Sequence, residues 1–135
     1  EAYAAQTVDN AAALGERLTS HGLDLVSDGT DTHLVLVDLR SSHPNTTGKE
    51  VEAALEEAGI VLNANTVPGE TRSAFNPSGI RAGTPALTTR GFDEAACREV
   101  ADLIYDVVEA PHDADIVADI SERVDELTDE YPLYD

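Results

Sequence analysis

Methionine and tryptophan are absent from this chain, cysteine and lysine occur once each, and the aromatics amount to four Tyr and two Phe. Without Met, the expectation is that Glu1 is not a native start and that the chain was cut or processed from something longer. A single Cys, Cys97, excludes an internal disulfide. Lys49 and seven Arg face 27 acidic residues, a net charge of −19, which leaves no basic face for a polyphosphate or a nucleic acid. No apolar run approaches the ~18 residues of a membrane span. Nor does a basic stretch precede an apolar one near Glu1, so no signal peptide is read and the cytoplasm is the simplest compartment.

What is present is a globular composition. Hydrophobic residues make up 41%, and 135 residues suit one domain that buries roughly two-thirds of its unfolded surface. The acids are spread along periodic apolar segments instead of gathered in a block, which argues against a disordered tail. A dispersed acidic surface almost free of Lys suits concentrated salt, where charges are screened over about 3 Å at 1 M.

Along the chain, residues 2–20 read as a helix whose apolar face is Val8, Ala11, Ala12, Gly15 and Leu18, stopped at Gly22. Two short strands are expected at 23–27 and 33–39 around a tight turn at Asp28-Gly29. In the second, Leu34, Leu36 and Asp38 alternate with Val35, Val37 and Leu39, so both faces are largely apolar and a buried or central strand is expected. Thr47 and Glu50 have capping-box spacing ahead of a helix over 48–58 that turns Val51, Ala54 and Leu55 inward and ends at Gly59. Ile60, Val61 and Leu62 read as a strand start. Residues 63–78 lack periodicity and are too long for an idle connection. A strand over 79–84 follows. A helix over 92–109, with Asp93 and Glu94 in its first turn, buries Ala96, Val100, Leu103, Ile104, Val107 and Val108. One over 114–130 carries a stripe of Ile116, Ile120, Val124 and Leu127. Short strands and helices in this order predict an α+β fold, a short, mostly antiparallel sheet with helices on one face.

Few residues carry chemistry. His21, His33, His43 and His112 lack metal-ligand spacing and read as ordinary histidines. Cys97, among Ala95, Ala96 and Val100, reads as a buried thiol without a catalytic role. Asn45-Thr46-Thr47 matches a glycosylation acceptor, but Thr47 is accounted for as a helix cap. No phosphate-cradling loop or nucleophile elbow occurs. Arg81, between Ile80 and Ala82, stands out. Composition alone favours an internal salt bridge there, since acids abound; the functional reading is capture of a substrate carboxylate by the planar guanidinium.

Asn63-Ala64-Asn65-Thr66-Val67-Pro68, Arg72-Ser73-Ala74-Phe75 and Ser78-Gly79-Ile80-Arg81-Ala82-Gly83-Thr84-Pro85-Ala86-Leu87-Thr88-Thr89-Arg90-Gly91-Phe92 together closely resemble the serine hydroxymethyltransferases. The resemblance extends upstream through the 32–39 strand and Thr47-Gly48-Lys49-Glu50, and downstream to Tyr131-Pro132-Leu133-Tyr134. It departs at Ala64, where the family usually has Lys, and at Ala74, where it usually has Pro. The resemblance implies the C-terminal small domain of a fold-type I enzyme that uses pyridoxal 5′-phosphate to interconvert serine and glycine, with tetrahydrofolate as one-carbon carrier. By similarity Arg81 holds the substrate carboxylate, and Asn65, Ser73, Ala74 and Phe75 contact the folate. Arg90 matches too, though a structural salt bridge accounts for it equally well. The cofactor lysine of the family has no counterpart here. The resemblance therefore implies a fragment inactive alone, joined through the 1–20 helix to a large N-terminal domain and working as a homodimer. Two alternatives stay open: the small domain of another fold-type I enzyme, and a non-catalytic module that binds small molecules.

Overall fold

The computed structural model describes residues 2–26, 34–73, 75–83 and 92–130. Helix α1 (Ala2–Ser20) leads to strands β1 (Asp24–Leu25) and β2 (Leu34–Asp38), then helix α2 (Gly48–Ala58), strands β3 (Asn63–Asn65) and β4 (Gly79–Gly83), and helices α3 (Glu94–Glu109) and α4 (Ala114–Glu130). The strands form one antiparallel sheet in the order β1-β2-β4-β3. The α+β fold and its order of elements are as expected. The Asp28-Gly29 turn, His33, the motif from Thr84 to Gly91 (Arg90 included) and Tyr131 to Tyr134 lie outside the described residues.

Helix α2 shows how closely local sequence sets local structure. The Thr47 side chain accepts from the Glu50 N–H while the Glu50 carboxylate accepts from the Thr47 N–H, a complete capping box. At the other end Gly59 takes a φ of 95°, which a residue without Cβ adopts freely, and Ile60 N–H bonds back to Leu55. Val51, Ala54 and Leu55 are buried, as their spacing predicts. This ending also corrects the reading that follows it. Ile60 completes the helix cap, Val61 is 82% exposed, and the strand begins only at Asn63. The stretch read as irregular from 63 therefore opens with three paired residues.

The α1 stripe is rotated from the expected one. Thr7, Asn10, Ala11, Leu14 and Leu18 are buried, whereas Val8 is 44% exposed. Asn10 turns inward because its amide donates to the Phe92 carbonyl at 2.9 Å, so a polar residue takes a core position. In α4 the stripe is Val117, Ile120, Val124 and Leu127, with Ile116 on the outer side instead. Helix α3 buries every residue expected of it and Cys97 as well, where burial pushes the thiol up to about 12. Such a thiol is inert. Asp93 does not lie within the first turn; it caps α3, accepting from Ala96 N–H at 2.9 Å.

Register divides the sheet into two faces. Val35, Val37 and Ile80 are buried on the helix-packed face, with Leu25 and Ala82 partly so. The other face carries Leu36, Arg81 and Asn63 in one cross-strand row and Asp38, Gly79 and Asn65 in the next. Among the described residues, helices cover only the first. Strand β2 lies inside the sheet, as expected of a central strand, with Val35 and Val37 buried and Leu36 and Asp38 half-buried. At the β3 edge, Glu52 of α2 accepts the Ala64 N–H at 3.1 Å and blunts it.

Candidate functional site

The open face is built by β4, whose placement depends on two glycines. Gly48, the first residue of α2, donates its N–H to Pro77 at 2.8 Å. A Cβ there would lie 2.1 Å from the Gly79 carbonyl oxygen, so only glycine lets α2 sit this close to the start of β4. A Cβ on Gly79 would lie 2.5 Å from Val67 Cγ1, because the buried Val67 rests on that part of the open face. The row Asp38–Gly79–Asn65 is thereby covered by the connection between β3 and β4. No described residue is found to cover the row Leu36–Arg81–Asn63, where Arg81 and Asn63 are exposed and Leu36 is half-buried.

Two clamps hold that connection. Arg40 makes a bidentate pair with Asp38, with Nη2 to Oδ2 at 2.7 Å, and donates to the carbonyls of Gly69 at 2.6 Å and Pro68 at 3.0 Å. The Arg40 guanidinium holds the Asp38 carboxyl below the usual carboxylate range. The second clamp is Glu70. Its carboxylate accepts from the N–H groups of Val67 at 3.3 Å, Thr71 at 3.1 Å, Arg72 at 3.1 Å and Ser78 at 2.9 Å, and from the Ser78 hydroxyl. Burial pushes this carboxyl up, yet the hydrogen bonds from Ser78, Arg72 and Val67 outweigh it and lower Glu70 from its ordinary 4.5 to about 2. Arg72 completes the cluster, donating to Ser78 Oγ at 2.9 Å and to the Pro44 carbonyl at 2.6 Å.

The residues singled out from the sequence fall around this face. Arg81 is exposed on it and forms no ion pair among the described residues, so the internal salt bridge favoured by composition is not found there. Its cross-strand neighbours are Leu36 and Asn63. Asn65 shares the face one row away, with Nδ2 donating to the Thr66 carbonyl at 2.8 Å. Ser73 and Phe75 are exposed on the connection, Phe75 at 89%. Ala74 lies outside the described residues. Sequence reasoning missed Glu70, Arg40 and the close approach at Gly48. For Glu70 a signal was available: an acid amid a long run of backbone N–H groups that lack ladder partners.

Lys49 stands exposed on α2 with Nζ 3.8 Å from Glu52 Oε1. His21, His43 and His112 each face a carboxylate, of Asp102, Glu109 and Glu50 respectively. No cluster of metal-ligating residues occurs among the described residues. No described helix is long and apolar enough to cross a membrane.

In comparisons with known proteins, the family described as serine hydroxymethyltransferase matches residues 1–104. A serine hydroxymethyltransferase of Haloarcula marismortui is 82% identical over 135 residues, the whole of this chain and 32% of the relative. Those of Haloquadratum walsbyi and Cupriavidus pinatubonensis, the latter named serine hydroxymethyltransferase 1, are 69% and 48% identical over 99% of the chain, again 32% of each relative. The chain thus spans about a third of the length of the curated relatives it matches.

Proposed function

The chain belongs to the serine hydroxymethyltransferase family, and we propose that within a longer protein it forms one wall of an active site that interconverts serine and glycine. The observation that carries this reading is Arg81: an exposed guanidinium on an open sheet face, without an ion-pair partner among the described residues of a chain with 27 acids. An Arg so placed is available to an anionic ligand, and its planar fork matches a carboxylate through two parallel hydrogen bonds. Holding the α-carboxylate would orient the amino acid's Cα for reaction.

Pyridoxal 5′-phosphate, when bound, would serve as an electron sink for charge developing at that Cα. This chain does not fit the role of its holder. Its one Lys is exposed on α2 in a pair with Glu52, and no phosphate-cradling loop occurs in the sequence. Anchoring of the cofactor therefore falls to the remaining two-thirds of the protein, a large domain of the fold-type I class. The isolated chain would be inactive. Tetrahydrofolate, the one-carbon carrier, would lie against Asn65, Ser73, Ala74 and Phe75. An amide suits the mixed donors and acceptors of a pterin. Phe75 supplies an apolar wall, and its near-complete exposure leaves it free to do so. We place the whole protein in the cytoplasm as a homodimer adapted to concentrated salt, in keeping with its −19 charge.

The test is tetrahydrofolate-dependent serine cleavage by the full-length protein carrying Asn65→Ala or Phe75→Ala. The reading expects the tetrahydrofolate KM to rise roughly tenfold in either, as the loss of one good contact implies, with the serine KM little changed. Unchanged tetrahydrofolate KM values in both variants would remove the folate assignment. A second member of the same fold class that acts without folate would give that result.

A further inference from the structure

The arc from Thr71 to Asn76 carries Ser73 and Phe75, yet its described residues have almost no apolar anchorage. Thr71, Ser73, Phe75 and Asn76 are exposed, and the buried residues that flank the arc are Val67 before it and Pro77 and Ser78 after it. A segment with so few buried contacts opens readily unless polar groups hold it. Here one carboxylate does. Glu70 reaches back to the Val67 N–H, on the same residue whose side chain rests on Gly79, and forward to both the N–H and the hydroxyl of fully buried Ser78. Between them it takes the N–H groups of Thr71 and Arg72, which begin the arc. The Arg72 guanidinium then ties Ser78 Oγ to the Pro44 carbonyl. The Ser78 carbonyl accepts the Leu39 N–H at 3.0 Å, continuing the pairing of β2 with β4 towards Arg81.

We propose that Glu70 is a positioning residue. By joining both ends of the arc to the start of β4, it sets where Ser73 and Phe75 stand relative to the strand that carries Arg81, and so governs binding of the pterin-class cosubstrate. The inference rests on the functional reading above and adds to it a residue that does not itself touch the ligand. Charge is essential to the role. A glutamine presents one acceptor oxygen and turns an NH2 donor towards the remaining N–H groups, so it cannot satisfy the same set.

The experiment compares Glu70→Gln, Glu70→Asp and Val124→Ala in the full-length protein. Val124 is a buried residue of α4, packed at the Gly59 end of α2, and supplies a destabilised control outside the arc. Hydrogen exchange over 71–78, the tetrahydrofolate and serine KM values and the thermal midpoint are measured for each. Glu70→Gln is expected to speed exchange in the arc and raise the tetrahydrofolate KM by about tenfold or more, the scale of losing hydrogen bonds to a charged acceptor. Glu70→Asp, which keeps the charge, should recover part of that KM. Val124→Ala should lower the thermal midpoint without moving the tetrahydrofolate KM. An unchanged tetrahydrofolate KM or unchanged arc exchange in Glu70→Gln, or an equal KM rise in Val124→Ala, overturns the positioning role. Arg81→Ala in the same assay separates the two failures. If it abolishes activity while Glu70→Gln leaves KM untouched, the functional reading stands and the positioning role falls. If it keeps full activity, the functional reading falls and takes the positioning role with it.

Discussion

On β4, Ile80 and Arg81 are neighbours in sequence and opposites in surroundings. Ile80 is buried against the helices beside Val35 and Val37, while Arg81 stands exposed between Leu36 and Asn63 on a face that no described helix covers. One residue step carries the chain from the part of the molecule that supplies stability to the part that is available for chemistry. The lesson concerns where substitutions act. Changes on the helix side should move the thermal midpoint, and changes on the open side should move activity at nearly constant stability.

The core offers the largest effect. Leu103→Ala, at a fully buried position of α3, should destabilise by about 2–5 kcal/mol in a denaturant melt. A loss below 1 kcal/mol would mean that the helical layer is not the stabilising one. Gly48→Ala comes next. Its methyl would meet the Gly79 carbonyl oxygen and push α2 away from β4, at about 3 kcal/mol, and this is where the two faces are expected to respond together. Thr47→Ala removes one half of the capping box and should cost about 1 kcal/mol, read from the same melts.

Acid sharpens the comparison further. Glu70 ionises at about 2 in the fold against an ordinary 4.5, so its contribution is complete above pH 4.5 and disappears as pH falls from there towards 2. The thermal midpoint of the unaltered protein should therefore decline more steeply over that window than that of Glu70→Gln. Parallel declines would mean that the carboxylate contributes nothing to stability. Its partial exposure keeps the expected difference modest. Smallest of all, Phe75→Ala should change stability by no more than about 0.5 kcal/mol, since the ring packs on nothing in the core.

Legibility from sequence follows the same division. Helix α2 could be read almost completely, because its caps and apolar spacing are local signals that the fold obeys. Strand β4 and the interior place of β2 followed from alternation and runs of apolar residues. The α1 stripe was misplaced because Asn10 enters the core to reach the Phe92 carbonyl, a contact between residues far apart in sequence. Ile60 to Leu62 looked like a strand because apolar runs do not reveal that Ile60 still belongs to a helix cap. Arg81 and Asn65 were singled out through a motif. That they share one open face follows only from the register of β3 on β4. Glu70 had no motif to mark it; its one sequence signal was the run of N–H groups around it, and the structure shows that they share it as acceptor.

The most direct test pairs the two neighbours on β4. Arg81→Ala and Ile80→Ala would be made in the full-length protein, and the serine–glycine exchange rate and thermal midpoint measured for both. Arg81→Ala is expected to keep its midpoint and lose about a hundredfold or more in kcat/KM for serine, the scale of removing a charge-paired substrate contact. Ile80→Ala is expected to melt earlier and to keep its rate while folded. An Arg81→Ala protein that exchanges serine and glycine at the unaltered rate would contradict the account and leave the open face without a function.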